Sequence, residues 1–139
     1  MNRILLLLLL TNFISCKTNQ IINRKKHGLW VEKIVLDSVT YKSKGKFNNN
    51  NEIGKWQHFE NGKRVKKEIY RNNYTIKTLY HSNGKIASKG KTKTNVTDKM
   101  LHWFYDGIWK FYDENGQLIR IKIYKNSDLI SDEEQKIKQ

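Results

Sequence analysis

The sequence predicts an all-β fold, repeated antiparallel β-hairpins forming an elongated meander sheet in one domain. Three observations carry that prediction. Sixteen Trp, Tyr and Phe residues gather in short runs, Asn-Gly pairs separate those runs, and Gly-x-Trp recurs at 28–30, 54–56 and 107–109. Asn-Gly accepts the positive φ that a type I′ turn needs at both central positions, and the twist of that turn matches paired strands. A recurring unit of this kind cannot bury its apolar face alone and must stack on copies of itself.

In chain order, the first segment reads as an export signal over residues 1–15. Arg3 supplies a positive n-region, Ile4–Leu10 an apolar h-region, and Ser15 a small residue beside the cut. About 20 apolar residues are needed to span a bilayer, and Thr11-Asn12 interrupts this run too early. Cys16 is the lone cysteine, so an internal disulfide is excluded. A free exported thiol, an intermolecular disulfide, a cut elsewhere and lipidation all remain open from the residues. The segment Phe13-Ile14-Ser15-Cys16 resembles a bacterial lipoprotein signal, which implies lipidation at Cys16 and cleavage before it. Phe13 stands where such signals usually carry leucine.

Residues 16–26, polar apart from Ile21-Ile22, suit a lipid-anchored linker, and the repeat domain is expected over 27–126. Asn61-Gly62 divides Lys55–Phe59 from Val65–Tyr70. Asn83-Gly84 divides Ile76–Tyr80 from Ile86–Lys89, and Asn115-Gly116 divides Ile108–Tyr112 from Leu118–Tyr124. Gly62, Gly84 and Gly116 are therefore the expected structural turns. The Asn-Gly pairs lie 22 and then 32 residues apart, and Lys91–Lys99 reads as an insertion of about ten residues. In the last strand Ile119, Ile121 and Ile123 alternate with Arg120, Lys122 and Tyr124, so each set occupies one face. Asn48–Asn51 reads as a loop. Residues 127–139 read as a polar tail, with Ser131–Glu134 a weak helix-cap signal.

The formal net charge is +14, from 27 Lys+Arg against 13 Asp+Glu. Such a chain attracts anionic partners: lipid headgroups, lipopolysaccharide or acidic protein. Nucleic acid is not expected, because an exported chain rarely meets it and because Lys outnumbers Arg 22 to 5, which argues against bidentate phosphate or base reading. His27, His58, His81 and His102 are too scattered for a zinc site, and no metal or cofactor is expected. Asp37, Glu60, Glu68, Asp106 and Asp113 offer no evident acid/base pair, and there is no nucleophile elbow or phosphate loop. No catalytic residue is assigned and the chain is read as non-enzymatic.

The stretch Gly54-Lys55-Trp56-Gln57-His58-Phe59-Glu60-Asn61-Gly62-Lys63 resembles the MORN-variant repeat, familiar in YwqK-type antitoxin-like proteins. Gly107–Gln117 matches with one extra residue, Tyr80–Lys85 is a half match, and Gly28-Leu29-Trp30 keeps only the opening. The resemblance implies that glycines serve close turns while aromatics line the sheet. Trp30, Trp56, Phe59, Tyr80, Trp109 and Tyr112 are thus mainly packing residues and also the candidate binding face. It implies a protein-interaction or scaffold role, antitoxin-like, with a toxin as one candidate partner. Anionic envelope lipid is the alternative, and a small cell-envelope hydrolase assembled from separate strands the third reading. The expected location is the bacterial envelope, an outer-membrane lipoprotein facing the periplasm, since neither an Asp nor an acidic run follows Cys16.

Overall fold

The computed structural model of the chain describes residues 17–96 and 101–136; Cys16 and the leader before it lie outside the described residues. Among the described residues ten strands make one sheet in strict chain order, every neighbouring pair antiparallel. They are β1 (Gln20–Ile22), β2 (Lys25–Leu36), β3 (Val39–Asn48), β4 (Asn51–Glu60) and β5 (Lys63–Tyr70). β6 (Tyr74–Tyr80), β7 (Ile86–Val96), β8 (Leu101–Tyr112), β9 (Leu118–Lys125) and β10 (Asp128–Glu134) complete it. The all-β meander is as expected.

Its ends are not. Gln20–Ile22, expected in a linker, pair with Lys25–His27, and Asp128–Glu134, expected in a tail, pair along β9. The reason is local. Asn23-Arg24 and Asn126-Ser127 have positive φ at both residues, as type I′ turns require, and each returns the chain onto its neighbour. Asp37-Ser38 and Asn49-Asn50 do the same, so the expected Asn48–Asn51 loop is a two-residue turn between β3 and β4. In each pair Asn or Asp occupies the first left-handed position, which these side chains tolerate.

The three Asn-Gly turns divide. Asn61-Gly62 is type I′, with φ of 48° and 81°. At Gly84 and Gly116 only the glycine is left-handed, and Gly84 N–H and Gly116 N–H donate to His81 and Asp113 carbonyls at 2.9 and 3.0 Å. These are three-residue connections with the glycine closing the turn, correcting the type I′ expectation there. The Asp113 carboxylate accepts from Asn115 and Gln117 N–H, stabilising the longer path. Of the expected insertion, residues 91–96 extend β7 along β8, and residues 97–99 lie outside the described residues.

Gly-x-Trp proves to be a bulge at 54–56 and 107–109, whereas Gly28-Leu29-Trp30 pairs with β3 in unbroken register. The β3–β4 ladder steps from Lys44↔Gln57 to Lys46↔Ile53, leaving residues 54–56 opposite Gly45. The β7–β8 ladder steps from Lys89↔Lys110 to Lys91↔Asp106, leaving 107–109 opposite Gly90. Each Trp ring folds flat over the facing glycine. A Cβ on Gly45 would lie 2.1 Å from the Trp56 ring, and one on Gly90 2.0 Å from Trp109. Trp56 Nε1–H donates to the Lys46 carbonyl (3.1 Å) and Trp109 Nε1–H to that of Lys91 (3.0 Å). The flanking tetrapeptides, Ser43-Lys44-Gly45-Lys46 and Ser88-Lys89-Gly90-Lys91, are identical.

Candidate functional site

Strand register sorts the candidate aromatics onto two faces, because residues paired across a ladder point the same way. Trp30, Trp56 and Trp109 lie on one face and are buried, with Phe47 and Tyr70 packed beside the first two. Phe47 meets Trp30 and Trp56 edge-on at 5.6 and 4.9 Å between ring centres, a preferred aromatic geometry. Phe59, Tyr80 and Tyr112 lie on the opposite face and stay half-buried. The single stripe expected from sequence is therefore two stripes, back to back.

The tryptophan face holds a polar relay between β3, β4 and β5. Glu68 is buried, and His58 Nε2–H donates to its carboxylate at 2.9 Å. The Ser43 hydroxyl and His58 Nδ1 share a hydrogen bond at 2.8 Å. Lys66 and Lys77 approach the same carboxylate at 3.0 and 3.5 Å. Burial by itself raises the Glu68 pKa. The hydrogen bonds from His58 and Lys66 and the charges of Lys66 and Lys77 outweigh it and hold the group at about 2. Burial, with Glu52 and Glu68 nearby, pushes the Tyr70 phenol above its usual range.

Serine, imidazole and carboxylate in this order have the connectivity of a nucleophile, a base and an orienting acid. Acyl transfer also needs N–H donors converging where the oxyanion forms. Ser43 stands mid-strand in two ladders, and strand N–H groups lie in the plane of the sheet, aimed at neighbouring strands rather than at its face. The relay accounts fully for a buried, satisfied carboxylate. Sequence reading missed it because the three residues are 15 and 10 positions apart and meet only through the register.

The other face is basic. Lys33 opposes Lys42, and Lys44, Gln57, Lys67, Thr78, Lys89 and Lys110 form one row across six strands. Directly opposed like charges destabilise a sheet. Among the described residues Asp106 pairs with Lys91 and Lys93 (2.9 and 3.3 Å), whereas Lys33, Lys42, Lys44, Lys67, Lys89 and Lys110 make no ion pair. Hydrogen bonds from Lys91 and Lys93 lower the Asp106 pKa. Thr78 is 1% exposed and its hydroxyl has no partner, flanked in register by Lys67 and Lys89.

The candidate aromatics are woven into this basic face. Lys44 Nζ stands 5.3 Å from the Phe59 ring centre and the Arg64 guanidinium 4.2 Å from that of Tyr80. A groove of about 620 Å³ runs beside Tyr112, lined by Tyr74, Ile76, Lys89, Lys91, Ile108 and Lys110. On the tryptophan face, sequence reading also passed over Trp103, which is 59% exposed with Lys77 Nζ 4.7 Å from its ring centre. Among the described residues no cluster of three or more His, Cys, Asp or Glu suits a metal ion, and no helix is long and apolar enough to cross a membrane.

Residues 105–126, from β8 through β9 to the turn before β10, match the MORN repeat variant. No curated protein and no solved structure matches the chain.

Proposed function

We propose that the chain is a non-enzymatic binding module, held at a membrane by acylated Cys16, that presents its lysine face to an acidic protein partner in an antitoxin-like or scaffold role. One observation carries the reading: six lysines on one face, two pairs of them directly opposed, stand without carboxylate partners among the described residues. A protein evolved to fold alone has cheap ways to intersperse acids there. An anionic partner supplies the missing charge, and Phe59, Tyr80 and Tyr112 add half-buried aromatic contact area of the kind enriched at interfaces.

The matched repeat supports an interaction role, since MORN repeats generally mediate protein or membrane contacts. Anionic headgroups are the competing partner on the same face, each lysine near such a surface adding about 1 kcal/mol. The test is crosslinked capture from membranes, read by mass spectrometry, comparing wild type with Lys89→Glu/Lys110→Glu. The reading expects a defined acidic protein whose capture falls at least tenfold in the variant. Capture indifferent to charge reversal overturns it. Salt-sensitive binding to anionic vesicles, with no protein captured, transfers the face to lipid. Cys16→Ala tests the anchor independently: an unchanged lipid-modified mass removes it.

A further inference from the structure

An open meander has two edges, and here they differ in kind. β10 carries Asp128, Asp132, Glu133 and Glu134, four of the chain's 13 acidic residues in seven positions with no basic residue. The opposite edge, β1 and the outer part of β2, carries Arg24, Lys25, Lys26 and Lys33 against Glu32. Exposed apolar side chains concentrate at both: Ile21, Ile22, Ile34, Val35 and Leu36 at the first, Leu129 and Ile130 at the last. Exposed apolar edge strands are templates for pairing with another chain.

The backbone at each edge can be followed. The Asn19 side chain accepts from Val31 N–H (2.7 Å) and donates to the Val31 carbonyl (2.9 Å), mimicking a strand partner. That places the backbone groups of Val31 outward. Strand alternation then turns those of Lys33 and Val35 outward too, with no partner among the described residues. At the far edge, Gln135 N–H donates inward to the Ile119 carbonyl at 2.8 Å. Alternation therefore points the groups of Asp132 and Glu134 outward.

We infer that the acidic β10 edge of one copy pairs with the basic β2 edge of a second copy, Lys33 beside Glu134 and Val35 beside Asp132, joining the sheets head to tail. Asp132 is paired with Arg120 and Lys122, and Lys26 with Glu32. Asp128, Glu133 and the largely exposed Glu134 therefore set the sign of one edge, and Arg24, Lys25 and Lys33 that of the other. Like edges repel and unlike edges attract. Such a contact is heterologous, so it extends into open chains or closes as a ring rather than stopping at a two-fold dimer. The inference rests on the sheet edges and shares only Lys33 with the lysine face, so the Glu134→Lys and Ile130→Lys arms of its test lie outside the surface assigned to the acidic partner.

Sedimentation of the full chain across a concentration series, at about 0.02 M and about 0.5 M salt, tests it. Species larger than a dimer are expected at low salt, shrinking to monomer at high salt. Lys33→Glu and Glu134→Lys should each weaken association at least tenfold, and the two reversals combined should restore it. Ile130→Lys is a second break that leaves the charge pairs alone, with retained β-sheet circular dichroism confirming each variant's fold. Monomer at every concentration, a species that stops at dimer, or association indifferent to either charge reversal overturns the inference.

Discussion

Counted along the ladders, the region from β3 to β5 and the region from β7 to β9 are two copies of one unit with different contents. Ser43 corresponds to Ser88, Gly45 to Gly90, Trp56 to Trp109 and Tyr70 to Tyr124. His58, however, corresponds to Phe111, and Glu68 to Lys122. In the first copy a buried carboxylate is satisfied by imidazole and ammonium groups. In the second, Lys122 turns instead to Asp132 at 3.3 Å, with its Nζ 5.9 Å from the Phe111 ring centre. The glycine and tryptophan held in common are those that the bulge geometry demands; the positions that differ are free of it. The Ser43–His58–Glu68 relay is thus a choice of the first copy, not a requirement of the scaffold.

The largest effect should come from breaking what the copies share. Gly45→Ala forces a methyl into the Trp56 ring and should cost about 3 kcal/mol, lowering the melting temperature by roughly 10 °C. Gly90→Ala should cost a similar amount through Trp109. If calorimetry finds either substitution neutral, the ring-over-glycine contact is not what holds the bulge.

Next in size is the relay. A carboxyl whose pKa falls from 4.5 to about 2 on folding contributes on the order of 3 kcal/mol, present above pH 4.5 and lost as pH drops toward 2. Glu68→Gln should flatten that acid limb of the stability curve, and Ser43→Ala should leave it largely in place. An unchanged acid limb in Glu68→Gln would mean that other carboxylates govern acid unfolding.

The smallest effects lie in the turns. Gly62→Val should cost about 1–2 kcal/mol, because a β-branched residue resists a φ of 81°. Ser38→Gly should gain less than about 1 kcal/mol by relieving a serine held at φ 67°. Opposite signs in denaturant titrations would confirm left-handed turns of unequal comfort; equal signs would contradict the type I′ assignment.

Much of the architecture was legible because it is local. Asn-Gly pairs and the Ile119-Ile121-Ile123 alternation each act within a few residues. Turns at Asn23-Arg24, Asp37-Ser38 and Asn126-Ser127 escaped notice because they lack glycine, so both ends of the sheet were read as unstructured. The repeated Ser-Lys-Gly-Lys was visible in the sequence, but its meaning depends on a tryptophan 11 residues downstream in one copy and 19 in the other. The division of aromatics between faces required the register, since a bulge changes which residues share a side. For the same reason the relay and the unpaired lysine row had no sequence signature.

The strict meander has a kinetic meaning. Each strand finds its partner in the strand next to it in the chain, so little loop-closure entropy precedes any pairing and the sheet can assemble by successive zippering. Rate and local stability then become properties of neighbouring hairpins rather than of a single global core. The outermost strands should open first and most often, their amides exchanging with solvent ahead of those in β4 to β7. A chain built this way can gain or lose a hairpin unit without asking the rest to refold.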